Sequence, residues 1–341
     1  MGQELSRTLL SERVRRGRNL SGNSHNSLTS CAIIGDAPYN SQMELLITPP
    51  SPNPQRRHFL GLASALAGAS ALGLSACATV IPKKPVVGLV LGAGAARGFA
   101  HIGVIKALEA QGISPNLVLG SSAGSVIASL YASGLSGNDL NRIALTLDEA
   151  AIADWGLPFA GRFGGLIKGD ALQAMINREV KNRPIEQMRI PLGVVATDLQ
   201  SGKGVLFRRG DTGMAVRASC SIPGVFQPTT IQGREYVDGG LVAPVPVQYA
   251  RQMGATVVIA VSISNEPGQQ NASGTLGVLQ QTISIMQQSI NSYELQGADI
   301  VIQPKLQQMG GADFKARSAA ILAGEIATQE KMAQIKALIS A

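Results

Sequence analysis

Residues 118–124 read V-L-G-S-S-A-G and constrain this chain more than any other stretch. A short apolar run at 116–119 stops at Gly120. Ser121, Ser122, Ala123 and Gly124 follow, and a helix-like segment covers 125–131. G-x-S-x-G between a strand and a helix is the pattern of a nucleophile elbow. The two glycines clear space around a sharp turn that pushes Ser122 Oγ into the open. The helix that starts there aims backbone N–H groups, Ala123 N–H among them, at whatever forms on that oxygen. In a chain with 39 glycines the pattern also fits a plain βα turn. Its meaning therefore rests on what accompanies it.

A second glycine loop lies upstream. A buried-type strand at 86–91 runs into Gly92-Ala93-Gly94-Ala95-Ala96-Arg97-Gly98, and a helix over 98–111 follows, with Phe99, Ile102, Val104, Ile105 and Leu108 on one broad apolar face. A dinucleotide fingerprint fits poorly. Arg97 stands where its third glycine belongs, and the next strand ends in Leu119-Gly120 without an acidic residue for a ribose hydroxyl. An oxyanion hole fits better: Gly92 and Gly94 let consecutive N–H groups converge, with Ala123 N–H joining them. One such donor is worth about 3 kcal/mol of barrier. Arg97 sits at a helix start, where the dipole disfavours a cation. Either a substrate phosphate or a nearby carboxylate would compensate.

The chain has three histidines, His25, His58 and His101, and the first two precede the expected folded region. Only His101 is available to a Ser-His-Asp triad, and a lone histidine at its helical position is ordinarily a packed side chain. A serine hydrolase built here needs another base. Asp238, in Y-V-D-G-G at 236–240, ends a short strand at 234–237 and precedes two glycines. That places its carboxylate well for reaching a neighbouring loop, although D-G-G is also an ordinary turn. Partial burial would raise its pKa and make it a better base. Such a dyad suits esters better than amides, because an alkoxide is easier to expel.

G-x-G-x-x-R-G at 92–98, G-x-S-x-G at 120–124 and D-G-G at 238–240 resemble, in that order, the motifs of patatin-like phospholipases. Residues 217–226 (R-A-S-C-S-I-P-G-V-F) and 240–247 (G-L-V-A-P-V-P-V) also resemble bacterial members. The resemblance covers about 85–264 strongly and the helical remainder weakly. It implies a Ser-Asp dyad of nucleophile Ser122 and base Asp238. It further implies lipid acyl hydrolysis through an acyl-enzyme, and no metal or cofactor. Many members carry three adjacent glycines in the first loop, whereas here Ala93 and Ala95 flank Gly94. Gly94 and Ala95 are the expected donors of the hole. A non-catalytic envelope lipoprotein on the same fold is the alternative, disfavoured by the joint presence of the serine, the aspartate and the glycines.

Arg56-Arg57-His58-Phe59-Leu60 opens an uncharged, weakly apolar run over 59–76. It reads as a twin-arginine signal peptide spanning 56–76. Leu74-Ser75-Ala76-Cys77 resembles a bacterial lipobox, which implies cleavage before Cys77, diacylation of its thiol and residence at the periplasmic face of the outer membrane. Residues 1–55, rich in Ser, Asn, Arg and Pro, are an expected disordered leader. A start at Met43 would give an ordinary n-region. Residues 77–84 form a tether and 85–341 the hydrolase domain. Cys220 is left without a disulfide partner in the mature domain, as a small buried residue. Residues 1–58 hold +3 of the net charge of +7, so the mature part is mildly basic, which aids adsorption to an anionic lipid surface. Sparse aromatics, at 4%, and the lack of a dense basic run argue against nucleic acid. A fatty-acyl ester and the membrane surface are the expected partners, with no obligate protein partner.

Strand candidates at 86–91, 117–119, 192–197, 204–208, 234–237, 256–262 and 300–302 alternate with helix candidates at 98–111, 124–132, 137–147, 171–181, 211–218 and 246–253. The alternation predicts an α/β fold: three α/β/α layers about a mostly parallel central sheet. Residues 148–168 gather Trp155, Phe159 and Phe163 among glycines, as an acyl channel, a cover or core under a loop. A polar linker at 265–277 precedes long helices at 278–296 and 314–341. Leu279, Ile283, Ile285, Met286 and Ile290 recur at helical spacing, a pattern more often core than lipid contact.

Overall fold

Uninterrupted apolar runs make the central strands. β1 (Val87–Leu91), β2 (Leu117–Ser121), β3 (Leu192–Asp198) and β7 (Val257–Val261) are buried along their whole length, as parallel strands covered on both faces are. In the computed structural model, residues 84–146, 167–264, 274–306, 309–310 and 313–340 are described, all within the unit Thr79–Ala341. The other strands are β4 (Gly204–Phe207), β5 (Thr229–Ile231), β6 (Arg234–Val237) and β8 (Ile300–Ile302). They join one eight-stranded sheet in the order β5-β6-β3-β2-β1-β7-β8, with β4 also on β3. The five strands from β8 to β3 run parallel, while β4, β5 and β6 pair antiparallel.

The period of two along each strand divides the core. Leu89, Leu91, Val118, Ile259 and Val261 face one layer, built from α1 (Phe99–Glu109), α2 (Ala123–Ala132) and α8 (Arg317–Ser340). Val90, Leu117, Leu119, Val258 and Ala260 face the other, with Val247 and Ala250 of α6 (Val247–Gln252). The layers are three, as the alternation of elements predicts. α1 and α8 meet backbone to backbone: a Cβ on Gly103 would lie 1.9 Å from Ile321 O, and one on Gly324 2.0 Å from Ala100 O. The remaining helices are α3 (Gly137–Thr146), α4 (Asp170–Glu179), α5 (Thr212–Ser219) and α7 (Gly274–Glu294).

The edge of β3 organises the site. Thr197 pairs with Gly204 of β4 and with Val237 of β6, so β4 and β6 lie on opposite edges of β3. β4 and β2 both pair with Val194 and Val195, so they too lie on opposite edges. β6 therefore shares an edge with β2. The two strands run toward each other end to end, β2 parallel and β6 antiparallel to β3. β2 stops at the pair Ser121–Val195 and β6 at Val237–Thr197. Either register continued by one residue brings Ser122 and Asp238 opposite the same buried residue, Ala196.

Several expectations change. β5 was not expected: the turn at Gln232 (φ 51°) and Gly233 (φ 77°) closes a two-residue hairpin from Ile231 to Arg234. The first loop does not enter its helix directly, since a 3₁₀ turn at Ala95–Gly98 precedes α1. α7 begins at Gly274, inside the expected linker, and its Leu279, Ile285 and Met286 are exposed rather than core. Most of 148–168 and the rest of the linker lie outside the described residues, as do the leader, the signal run and Cys77.

Candidate active site

The elbow forms as its glycines require. A Cβ on Gly120 would lie 2.3 Å from Gly124 O, and one on Gly124 2.0 Å from Leu91 O, so any side chain at either position would prise the turn apart. Ser122 takes φ 51°, ψ −124°, a strained conformation for a non-glycine residue that costs on the order of 1–3 kcal/mol. It is the N-cap of α2, yet its hydroxyl does not cap. Ser125 closes the first turn instead, donating both its N–H (2.8 Å) and its Oγ–H (2.6 Å) to Ser122 O. Ser122 Oγ is thereby left for another partner.

That partner is Asp238. Ser122 Oγ donates to Asp238 Oδ2 at 2.6 Å across 116 residues of sequence. The carboxylate is pinned on all sides. Gly240 N–H donates to Oδ1 at 2.7 Å, the Asp238 N–H donates to Ser221 O at 2.9 Å, and Thr197 Oγ1 donates to Asp238 O at 2.8 Å. Burial raises the Asp238 pKa to about 6, against the opposing pull of the Ser122 and Gly240 hydrogen bonds. A base poised there is half charged at mildly acid pH and charged at neutral pH. The elbow does not push Ser122 into the open, as expected of it: both residues are buried.

The glycine loop supplies a different kind of wall. Gly92 is not a donor to the hole, because its N–H is spent on Val261 O at 3.0 Å, and Ala93 N–H is likewise spent on Pro244 O. The smallness of Gly92 matters instead, since a Cβ there would lie 2.8 Å from Val261 O. Among the described residues no acceptor takes the N–H of Gly94, Ala95 or Ala123. Ala95 is held at φ 50°, a second non-glycine residue in the left-handed region.

His101 is fully buried and bonds through Nε2 to Gly92 O at 2.8 Å, bracing the loop from beneath. Burial lowers its pKa to about 4, so it is neutral at pH 7 and its Nε2 donates. Arg97 is buried too, and burial lowers its pKa to about 10. Its Nε and Nη1 find no partner among the described residues, and no described carboxylate pairs with it. Cys220 is buried with Sγ 3.8 Å from Ser125 Oγ. Burial, with the Asp238 charge, holds its thiol protonated.

Sequence reasoning missed the braces. Ser219 Oγ accepts from Ser122 N–H at 2.9 Å and donates to Val195 O at 2.6 Å, filling the rung that β3 loses where β2 turns away. Ser221 Oγ and Thr229 Oγ1 lie 2.9 Å apart behind the Asp238 strand. Both serines fall in the stretch 217–226, whose signal is two small hydroxyls shortly before a proline.

On this α/β fold a serine on a strained strand-to-helix turn is paired directly with a buried aspartate, beside main-chain amides without a described acceptor. A patatin-like phospholipase family model matches residues 89–251. That match places residues 89–251 with the patatin-like phospholipases, the family that the motifs resemble. It is 38% identical over 181 residues to an NTE family protein of Mycobacterium tuberculosis, which covers 53% of this chain and 50% of that protein. It is 29% identical over 238 residues to lysophospholipase NTE1 of Kluyveromyces lactis, covering 63% of this chain and 15% of that one. The chain thus spans half the length of the mycobacterial relative. VipD from Legionella pneumophila shares the fold with a TM-score of 0.50 at 14% identity, over 73% of this chain and 66% of that chain.

Proposed function

We propose that this chain is a serine lipid acyl hydrolase, of the phospholipase A or lysophospholipase type, acting through a Ser122–Asp238 dyad and an acyl-enzyme. The 2.6 Å hydrogen bond from Ser122 Oγ to Asp238 Oδ2 carries the reading. Ser122 Oγ attacks the ester carbonyl carbon and its proton passes to Asp238. The N–H groups of Gly94, Ala95 and Ala123 receive the negative oxygen. The tetrahedral intermediate collapses, and the departing alkoxide takes the proton from Asp238. Water then attacks the acyl-serine as Asp238 accepts its proton, the second tetrahedral intermediate collapses with cleavage of the bond from Ser122 Oγ to the acyl carbon, Asp238 returns the proton to Oγ, and a fatty acid leaves.

The similarity to the lysophospholipase of Kluyveromyces lactis supports a lysophospholipid substrate. Arg97, buried and without a described partner, supports a phosphate-bearing one. We place the enzyme in the bacterial envelope as a lipoprotein exported by the twin-arginine run at 56–76 and anchored through Cys77, next to its substrate. The test is a fluorophosphonate probe on the purified protein. Wild type is expected to label, and Ser122→Ala to lose labelling and at least about 10⁴-fold in turnover. Labelling that survives this substitution would overturn the assignment of the nucleophile.

A further inference from the structure

α7 carries apolar residues on its outer side as well as its inner one. A surface helix normally turns its apolar stripe inward and its polar face to water. Here Val278, Leu279, Ile285, Met286 and Tyr293 point outward, each between 41% and 73% exposed. The inner side is mixed: Gln280, Ile283, Ser284, Gln287 and Ile290 are half-buried, and Asn291 is buried, where it donates to Ser264 Oγ. The outward residues recur at seven-residue intervals and so form a single stripe. From Gly274 to Tyr293 the helix carries no charged side chain.

The inner face borders the dyad. A Cβ on Gly240 would lie 2.6 Å from Gln287 Nε2 on one side and 2.9 Å from Asp238 Oδ1 on the other. One helix thus separates the catalytic pair from an open apolar stripe. Two occupants would satisfy that stripe, a second copy of the chain or a lipid surface. A helix seam between protein copies ordinarily carries charged flanks that set partner and register. The flanks here are glutamine, serine and threonine, which suit an electrically neutral surface. No helix among the described residues is long and apolar enough to cross a membrane, so α7 would lie in the surface plane.

We propose that α7 is an interfacial docking helix, whose outer stripe seats in the boundary region of an electrically neutral lipid bilayer and whose inner face carries the dyad to that surface. The choice of a bilayer rests on the lipid-hydrolase reading above. Docking of this kind needs no anionic lipid and is insensitive to salt, unlike adsorption by surface charge.

The full chain carrying Met286→Trp is mixed with brominated phosphatidylcholine vesicles, beside the unsubstituted chain with its single Trp155 and a control with Leu322→Trp on α8. The indole introduced on α7 is expected to shift to the blue and be quenched, equally at low salt and at about 0.5 M NaCl. The control indole is expected to be unaffected. The double substitution Ile285→Gln, Met286→Gln is expected to lower hydrolysis of vesicle phosphatidylcholine about tenfold relative to a soluble short-chain ester, through removal of apolar insertion. No quenching on neutral vesicles, or quenching only when phosphatidylglycerol is added, would overturn the proposal. So would a dimer that the double substitution converts to monomer without any quenching. Quenching in a chain that cleaves neither substrate would support docking and overturn the hydrolase reading instead.

Discussion

The two walls of the site differ in how far their polar atoms are satisfied. On the strand wall, Ser122, Asp238 and Ser219 are tied into β3 and to one another, with Ser122 Oγ, both Asp238 carboxylate oxygens and Ser219 Oγ all hydrogen-bonded. On the loop wall, the N–H groups of Gly94 and Ala95 and two nitrogens of the buried Arg97 have no partner among the described residues. Gly94 is half-buried and Ala95 exposed, so only the Arg97 nitrogens bear the cost of a buried unpaired donor, on the order of 1–3 kcal/mol each. In the proposed mechanism the first wall spends its bonds on geometry, so that nucleophile and base are aligned before substrate arrives, and the second keeps its donors free for negative charge that exists only when a substrate reacts.

The largest expected effect lies on the strand wall. Asp238→Asn is expected to lower turnover about 10³-fold or more, and wild-type kcat/KM is expected to rise with pH through about 6 as Asp238 loses its proton. The sign for stability is opposite. A carboxyl whose folded pKa is raised favours the native state only while protonated, and that contribution fades as pH climbs from the ordinary carboxylate range, about 4, toward 6. Denaturation of Asp238→Asn should therefore show a gain over wild type that grows across this window to about 3 kcal/mol and then stays level. A pH-independent difference would show that burial does not set this pKa.

The loop wall should respond in the other sense. At pH 7 Arg97 bears the full cost of a charge whose pKa burial has lowered to about 10. Arg97→Met is expected to stabilise the protein by up to about 3 kcal/mol while reducing hydrolysis of phospholipid relative to monoacylglycerol. Lost stability in a denaturant titration would show the guanidinium to be partnered in solution. Ser219→Ala should cost about 1–3 kcal/mol and slow fluorophosphonate labelling. It should also raise the pH midpoint, since a displaced Ser122 hydroxyl no longer stabilises the Asp238 carboxylate. The smallest effect is expected at Ala95, where glycine relieves the positive φ: Ala95→Gly should gain about 1 kcal/mol in a thermal melt.

The elbow was legible in the sequence because its glycines have no substitute: the turn brings Gly120 and Gly124 within contact of backbone. The histidine count left Asp238 as a candidate base and the family resemblance implied its pairing with Ser122, while His101 is committed to Gly92 O. Gly94, Ala95 and Ala123, the donors expected from the sequence, keep N–H groups without a described acceptor, and what could not be read was that Gly92 does not. Gly92 looks like a donor until β7 is seen to run alongside and take its proton. Nor could the facing of α7 be read, because a helical period locates a stripe without saying which side of the helix meets the protein. β5 escaped notice because Thr229-Thr230-Ile231 is short and only partly apolar, so its turn was its only signal. The role of Ser219 depends on a gap between two strands, which no local pattern encodes.

The meeting of β2 and β6 at Ala196 makes β3 a ruler against which the dyad is measured from both ends. Adding one residue to either strand would advance its tip by about 3.3 Å, the spacing of one rung, and removing one would open a gap wider than a proton can cross by a direct bond. The turns that join the strands carry no such restriction: nothing lies within 4 Å of a Cβ placed on Gly202, between β3 and β4, or on Gly233, between β5 and β6. Variation, whether by natural insertion or by design, can therefore accumulate in such turns, while the last rungs on either side of Ala196 tolerate no change of count.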